Sequence, residues 1–256
     1  MKLTNRNYFS KKANREYMSV SQYKSFENCP ECAMAELGGK WERPMTSALL
    51  VGSYVDAYFE GSLAKFIKKH PECFRRDGSL KSEYDRANAI IERIESDKLM
   101  TEYLTGRKQT VMEGAIEGVK VKIKTDVLGD GRIVDLKIMR DFEPVYVEET
   151  GRLPWYEAWR YDLQGAVYQE IVRQNTGEKL PFYLTAATKE PVTDIGIWHI
   201  SQELMDFELE KFRKKVPVYD AMKKGVIETY RCEKCGYCKS TKILTEPTEC
   251  EGAFEI

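Results

Sequence analysis

Residues 120–141, KVKIKTDVLGDGRIVDLKIMRD, alternate apolar and polar side chains with a period of two on either side of Gly129-Asp130-Gly131. That pattern predicts two antiparallel strands joined by a tight, glycine-bearing turn. In the first, over residues 119–127, Val119, Val121 and Ile123 share one face, while Lys120, Lys122, Lys124 and Asp126 share the other. In the second, over residues 132–139, Asp135 and Lys137 lie two apart on one face, and Val134, Leu136 and Ile138 point into apolar packing. The hairpin is expected to bring Asp126, Asp135 and Lys137 together at one sheet edge. Acids so placed hold a hard cation through oxygen, the cation polarises a phosphoryl group and acidifies bound water, and the lysine orients that water or meets developing charge. An Asp-x-Lys on an arbitrary strand is ordinarily a solvated face, so its meaning depends on its surroundings.

Upstream, residues 110–116 also alternate, with Gly118 before the next strand, which makes the hairpin part of an antiparallel meander. Helices are expected over 21–36 with Ser21 as cap, over 48–60, and after Ser82 in a charged segment carrying Ala89, Ile90, Ile94 and Leu99. Beyond an irregular stretch containing Pro144 and Pro154, a helix over 158–174 shows the stripe Leu163, Val167, Ile171. Strands over 182–188 and 194–200 and a helix over 202–224 complete the order. This is an α/β (α+β) chain with a mixed central sheet flanked by helices. Residues 1–18 are polar and expected to be flexible, 19–227 form the main domain, and 228–256 a cysteine-bearing appendage.

The 256 residues carry 40 Lys+Arg against 41 Asp+Glu, a net charge of −1, so a polyanion must be met by local basic groups and not by bulk attraction. Two histidines leave little material for His-rich metal sites or a Ser/His/Asp triad, which moves the expected chemistry onto carboxylates, lysine or cysteine. Basic candidates near the Asp-x-Lys are Lys120, Lys122, Lys124, Arg140 and Lys189. Trp155, Tyr156 and Trp159 suit either a core or a base-stacking role. Of seven cysteines, Cys29/Cys32 and Cys232/Cys235/Cys238 fall at metal-ligand spacings, whereas Cys73 and Cys250 stand apart. Free thiols and the lack of a long apolar run predict a reducing, cytoplasmic setting with no membrane contact.

These residues resemble the PD-(D/E)xK nuclease superfamily, and within it the phage and prophage RecE-like (exodeoxyribonuclease VIII) branch related to lambda exonuclease and to RecB and AddB nuclease domains. Asp126 takes the place of the first acid, preceded by Thr125 where the superfamily has proline, and Asp135-Leu136-Lys137 is the (D/E)xK. In YDLQGAVYQ, Gln164 and Tyr168 match the Q-xxx-Y motif of the RecB-like branch, four apart on one helical face. In VGSYVDAYFEG, Asp56 stands four residues after Gly52, where relatives often carry a metal-binding histidine. SVSQYKSFENCP resembles the N-terminal motif of iron-sulfur nucleases in which one N-terminal cysteine joins three C-terminal ones, which implies Cys29 with Cys232, Cys235 and Cys238 around a [4Fe–4S] cluster. Cys32 is the competing fourth ligand and Zn²⁺ the alternative occupant.

The resemblance implies a Mg²⁺- or Mn²⁺-dependent exodeoxyribonuclease acting on linear double-stranded DNA ends, 5′ to 3′, to yield single strands for a RecT-type annealing protein. Asp56, Asp126, Asp135 and the Leu136 carbonyl would hold metal, Lys137 would position water, and Gln164 and Tyr168 would orient the DNA. A phage or prophage origin, a bacterial host and a homo-oligomeric ring follow from the same likeness. The rivals are a non-catalytic DNA-binding scaffold of the same fold and a CRISPR-adaptation-like end-trimming nuclease.

Overall fold

The structure is a computed structural model that describes residues 2–148, 150–247 and 249; Cys250 and the end of the appendage lie outside the described residues. The chain opens with α1 (Lys11–Glu16), α2 (Val20–Asn28), α3 (Pro30–Gly38), α4 (Ser47–Phe59), α5 (Leu63–Lys69), α6 (Arg86–Glu95) and α7 (Lys98–Tyr103). The meander β1 (Arg107–Ile116), β2 (Val119–Gly129) and β3 (Arg132–Met139) follows. A ribbon of β4 (Val145–Val147) and β5 (Gly151–Leu153) comes next, then α8 (Trp155–Ala158) and α9 (Tyr161–Thr176). β6 (Phe182–Thr188), β7 (Ile195–His199), α10 (Gln202–Lys223) and α11 (Gly236–Ser240) complete it.

The five-stranded sheet has the order β1-β2-β3-β6-β7, antiparallel except for the parallel pair β3 and β6. A parallel neighbour needs a long crossover, and α8 with α9 supplies it. Alternation along the central strands divides two apolar layers. Ile133, Phe182 and Leu184 pack with Leu163, Val167 and Ile171 of α9 and Phe212 of α10. Val134, Leu136 and Ala187 pack with Val55 of α4 and Ile90 and Ile94 of α6. Asp135 shares the phase of Ile133 and so faces α9, whereas α4 approaches from the other side.

Several local expectations need correction. The helix over 21–36 is two helices, because Pro30 lacks an N–H and its predecessor is forced into an extended conformation. Ser19, not Ser21, caps α2, accepting the Gln22 N–H at 3.3 Å. Cys29 occupies the junction, its thiol accepting the Cys32 N–H. Ser82 begins only a short 3₁₀ turn, and the buried face of α6 is Ala87, Ile90, Ile91 and Ile94; Ala89 is exposed and Leu99 belongs to α7, which Asp97 caps. Arg160, at φ +57°, separates α8 from α9. The opening segment, expected to be loose, is tied down: Tyr8, Ala13, Tyr17 and Met18 are buried, and Met18 bridges to Val121 on the edge of β2 that β3 leaves open.

Candidate active site

The β2–β3 ladder pairs only Val127 with Val134, Leu128 with Ile133 and Gly129 with Arg132, closed by the two-residue turn Asp130-Gly131, where Gly131 takes φ +69°. Beyond Val127 the strands separate, and Asp126 stands in the gap. This point, expected at a sheet edge, lies instead in the middle of the sheet, since β6 and β7 add beyond β3. Asp126 Oδ2 accepts the Leu136 N–H at 3.0 Å, and its Oδ1 accepts the amide of Gln109, its cross-strand neighbour on β1, at 3.2 Å. Asp135 is 2% exposed; its Oδ1 accepts Gln164 Nε2 at 2.8 Å and its Oδ2 pairs with Lys137 Nζ. Asp56 enters from α4, with a buried Oδ1 that has no hydrogen-bond partner.

Asp56, Glu60, Asp126 and Leu136 line a cavity of about 10 Å³, room for one ion or water. Burial pushes Asp56 up to about 7 and Asp126 well above the usual carboxylate range, and the Asp135 charge raises Asp126 further. Burial pulls the Lys137 ammonium down, but Asp135 and Asp126 outweigh it and hold the amine firmly charged. Lys137 thus faces buried acids, and Lys108 of β1 lines the same cavity beside Asp126. An orphaned carboxylate oxygen beside a second acid and a main-chain strand suits a hard divalent cation with oxygen ligands, so the residues present fit Mg²⁺ or Mn²⁺. In this arrangement Asp135 is turned towards Lys137 and Gln164, and Asp126 towards Leu136 and Gln109.

Gln164 and Tyr168 project from one face of α9, as their spacing requires. Gln164 holds Asp135, and the buried Tyr168 hydroxyl donates to the Lys124 carbonyl at 3.1 Å, so α9 braces both strands of the gap. Five further groups were not singled out from the sequence, one of them Lys108 on β1, which lines the cavity with Asp126. Glu60 follows Asp56 by one turn of α4, a spacing that could have marked it. Gln109 is visible only from the β1–β2 register. Lys24 and Tyr161 come from distant segments: Lys24 Nζ and Lys137 Nζ lie 5.1 and 4.9 Å from the Tyr161 ring centroid, and Lys24 also donates to the Trp159 carbonyl at 2.8 Å. Burial, with the Lys137 charge, draws Lys24 down to about 7.

The expected lysine stripe is not a continuous exposed one. Lys120 pairs with Glu16 at 2.9 Å, Lys122 is buried against the N-terminal segment, and Lys124 lies over the Phe9 ring. Arg140 is exposed and pairs with Asp141, and Lys189 donates to the Ala48 carbonyl at the start of α4. Trp155 is core, packed edge-on against Tyr161 and Trp198, while Trp159 is exposed.

The appendage returns to the α2–α3 junction. The thiols of Cys29, Cys232, Cys235 and Cys238 lie within 4.8 Å of one another, with Cys29 Sγ 3.6 Å and Cys232 Sγ 4.0 Å from Cys238 Sγ. Cys232 accepts the Cys235 N–H and Cys235 the Cys238 N–H, the local turns that the C-x₂-C spacing produces. Cys32 is outside this group. Burial pushes Cys29 up to about 12, whereas backbone N–H donors outweigh burial at Cys232 and bring it to about 7. Four clustered thiols of this kind could hold a metal.

Residues 19–241 match the family described as a PDDEXK-like domain of unknown function (DUF3799). The chain is similar to a crystal structure from Eubacterium rectale described as "Putative exonuclease", with 45% identity over 97% of each chain and a TM-score of 0.92. A structure described as SSO0001 aligns at 14% identity over 82% of this chain and 90% of that one, with a TM-score of 0.28. No curated protein matches.

Proposed function

The chain belongs to the PDDEXK-like family DUF3799 and has its nuclease fold, and we propose from that premise that it is a metal-dependent exodeoxyribonuclease that shortens linear double-stranded DNA from its ends. The observation that carries this is the gap between β2 and β3, where Asp126, Asp135 and Lys137 meet Asp56 beneath the bracing face of α9. The exonuclease description of the similar E. rectale protein supports it.

Asp56, Asp126, Asp135 and the Leu136 carbonyl would hold the cation, which when bound supplies a polarised phosphoryl oxygen and a more acidic water. Lys137, kept charged by its two carboxylates, meets the negative charge that grows on the phosphate and orients the water beside it. Gln164 fixes the rotamer of Asp135, and Tyr168 fixes the backbone that carries Asp126. Digestion of one strand from 5′ to 3′ would leave its complement single for a RecT-type annealing protein in a bacterial cytoplasm during phage recombination, with a ring of copies around the DNA. No helix among the described residues is long and apolar enough to cross a membrane.

At the cysteines we favour one tetrahedral ion. Four thiols within 4.8 Å of one another would suit a single ion held by Zn–S bonds of about 2.3 Å, with Cys29, Cys232, Cys235 and Cys238 as its ligands. Zinc without iron in protein prepared without oxygen supports the single ion; iron with a brown colour supports [4Fe–4S].

The activity test is digestion of linear and closed circular duplexes with Mg²⁺ or Mn²⁺, using wild type and Lys137→Ala. Wild type should consume the linear DNA alone, and the variant neither. Cleavage of the circle would replace the exonuclease reading with an endonuclease one, and intact linear DNA under every metal condition would leave a binding scaffold.

A further inference from the structure

The N-terminal segment, α2 and α3 enclose a cleft of about 540 Å³. Its deepest cation is Lys122, 1% exposed, whose ammonium donates to the Tyr8 carbonyl at 2.5 Å and to Asn14 Oδ1 at 2.6 Å. Both acceptors are neutral, and among the described residues no carboxylate pairs with this amine. Two carboxylates line the cleft: Glu36 is engaged by Arg43 at 2.6 Å and by the Ser25 hydroxyl, and Glu42 is exposed at the rim. A buried cation without a counter-charge is costly to the empty fold and is relieved by an anion in the cleft.

Of the four aromatic rings that line the cleft, Tyr8 and Phe26 are buried, and Phe9 and Trp41 reach its open walls. Phe9 is 71% exposed with Lys124 Nζ 5.3 Å from its centroid, and Trp41 leans edge-on against Tyr237 of the cysteine appendage at 5.8 Å. An exposed ring with an adjacent lysine is the combination that stacks a base and holds its phosphate. Lys122 also lies four residues before Asp126, about 13 Å along β2. That distance spans roughly two to four nucleotides of a strand at or beyond its duplex rise of about 3.4 Å.

We propose that this cleft binds unpaired nucleotides of the DNA strand engaged at Asp126 and Asp135, with a phosphate against Lys122 and bases stacked on Phe9 and Trp41. The cleft falls within the roughly 300–1,000 Å³ of ordinary ligand pockets, a volume for about one or two nucleotides and not for a duplex. The proposal rests on the nuclease reading above and names the part of its substrate that the duplex-end chemistry leaves open. Phe9 and Tyr8 precede the residues matched to the family, so this wall of the cleft is not part of that match.

The test is fluorescence anisotropy of a labelled oligothymidylate and of a blunt duplex on the full chain in EDTA, for wild type, Phe9→Ala, Trp41→Ala and Lys122→Met. Phe9→Ala, at an exposed position, should fold like wild type and weaken single-strand binding about tenfold while changing duplex affinity less than about twofold. Lys122→Met should weaken single-strand binding and reduce its log–log salt dependence by about one phosphate contact. Wild-type single-strand affinity in both Phe9→Ala and Trp41→Ala overturns the proposal even where linear DNA is digested normally. Phe9-dependent single-strand binding by a protein that cuts no DNA would preserve the cleft and remove the nuclease reading.

Discussion

Gly165→Ala tests whether the approach of α9 to the sheet positions the site. Gly165 follows Gln164 on α9, and a Cβ placed there would stand 2.5, 2.9 and 3.0 Å from Cδ1, Cγ and Cε1 of the fully buried Phe182 on β6. Those atoms are the root and flank of a ring locked between layers, so the helix must move. Helix propensity alone favours alanine by about 1 kcal/mol, while forcing a methyl into a filled core costs about 1–3 kcal/mol. With contacts this short the upper end applies, which leaves a net loss of about 2 kcal/mol and a fall in Tm of about 4–8 °C for a chain of this size. The same displacement carries Gln164 away from Asp135, now 2.8 Å distant, and Tyr168 away from the Lys124 carbonyl. Cleavage should therefore fall about tenfold or more, since misplacement of about 1 Å far from the chemistry can cost a hundredfold. Urea and thermal unfolding of Gly165→Ala, Phe182→Leu and the double variant provide a cycle in which the second change restores part of the loss. A rise in Tm for Gly165→Ala, with unchanged cleavage, would refute the close packing and the bracing role given to α9.

Lys137→Gln should lower kcat for linear duplex about 10²–10³-fold, and because it leaves the buried Asp135 without its cation it should also destabilise the fold by about 3–5 kcal/mol; normal turnover would remove Lys137 from the chemistry. Cys29→Ser, Cys232→Ser and Cys235→Ser should each lose bound metal, whereas Cys32→Ser should keep it, as read by metal content per chain; the reverse pattern for residues 29 and 32 would contradict the observed thiol grouping. Burial draws Lys122 down to about 8 from about 10.4 in the unfolded chain. The fold favours its neutral form, so the destabilisation is full below pH 8 and fades as pH rises to 10.4. Wild type should gain stability over Lys122→Met across that window, by at most about 3 kcal/mol in urea unfolding, and a pH-independent gap would show that the amine is solvated.

What could be read from the chain ahead of its structure was whatever has a short period. β3 and β6 fall at the expected residues because alternation and glycine turns are local, and the Leu163, Val167, Ile171 stripe is fully buried as its spacing required. Asp126, Asp135 and Lys137 could be placed together because one two-residue turn joins their strands, and Gln164 and Tyr168 because a helix repeats at about 3.6 residues. Helix junctions were less legible. Ser19 and Ser21 offer the same capping chemistry, and only packing chose between them.

The strand–turn–strand that carries the acids, the shared face of Gln164 and Tyr168, and the cysteine spacings follow from residue order alone. Tertiary structure decided that the acids sit in a gap inside the sheet and that Glu60, Gln109 and Lys24 border it. It also turned Lys122 from a surface cation into the buried floor of a cleft and separated Cys29 from Cys32. The physical reason is range: turns and periodic faces depend on neighbours a few residues away, whereas burial, charge pairing and cavity shape depend on segments such as residues 8–14 and 120–124 that meet only when the whole core closes.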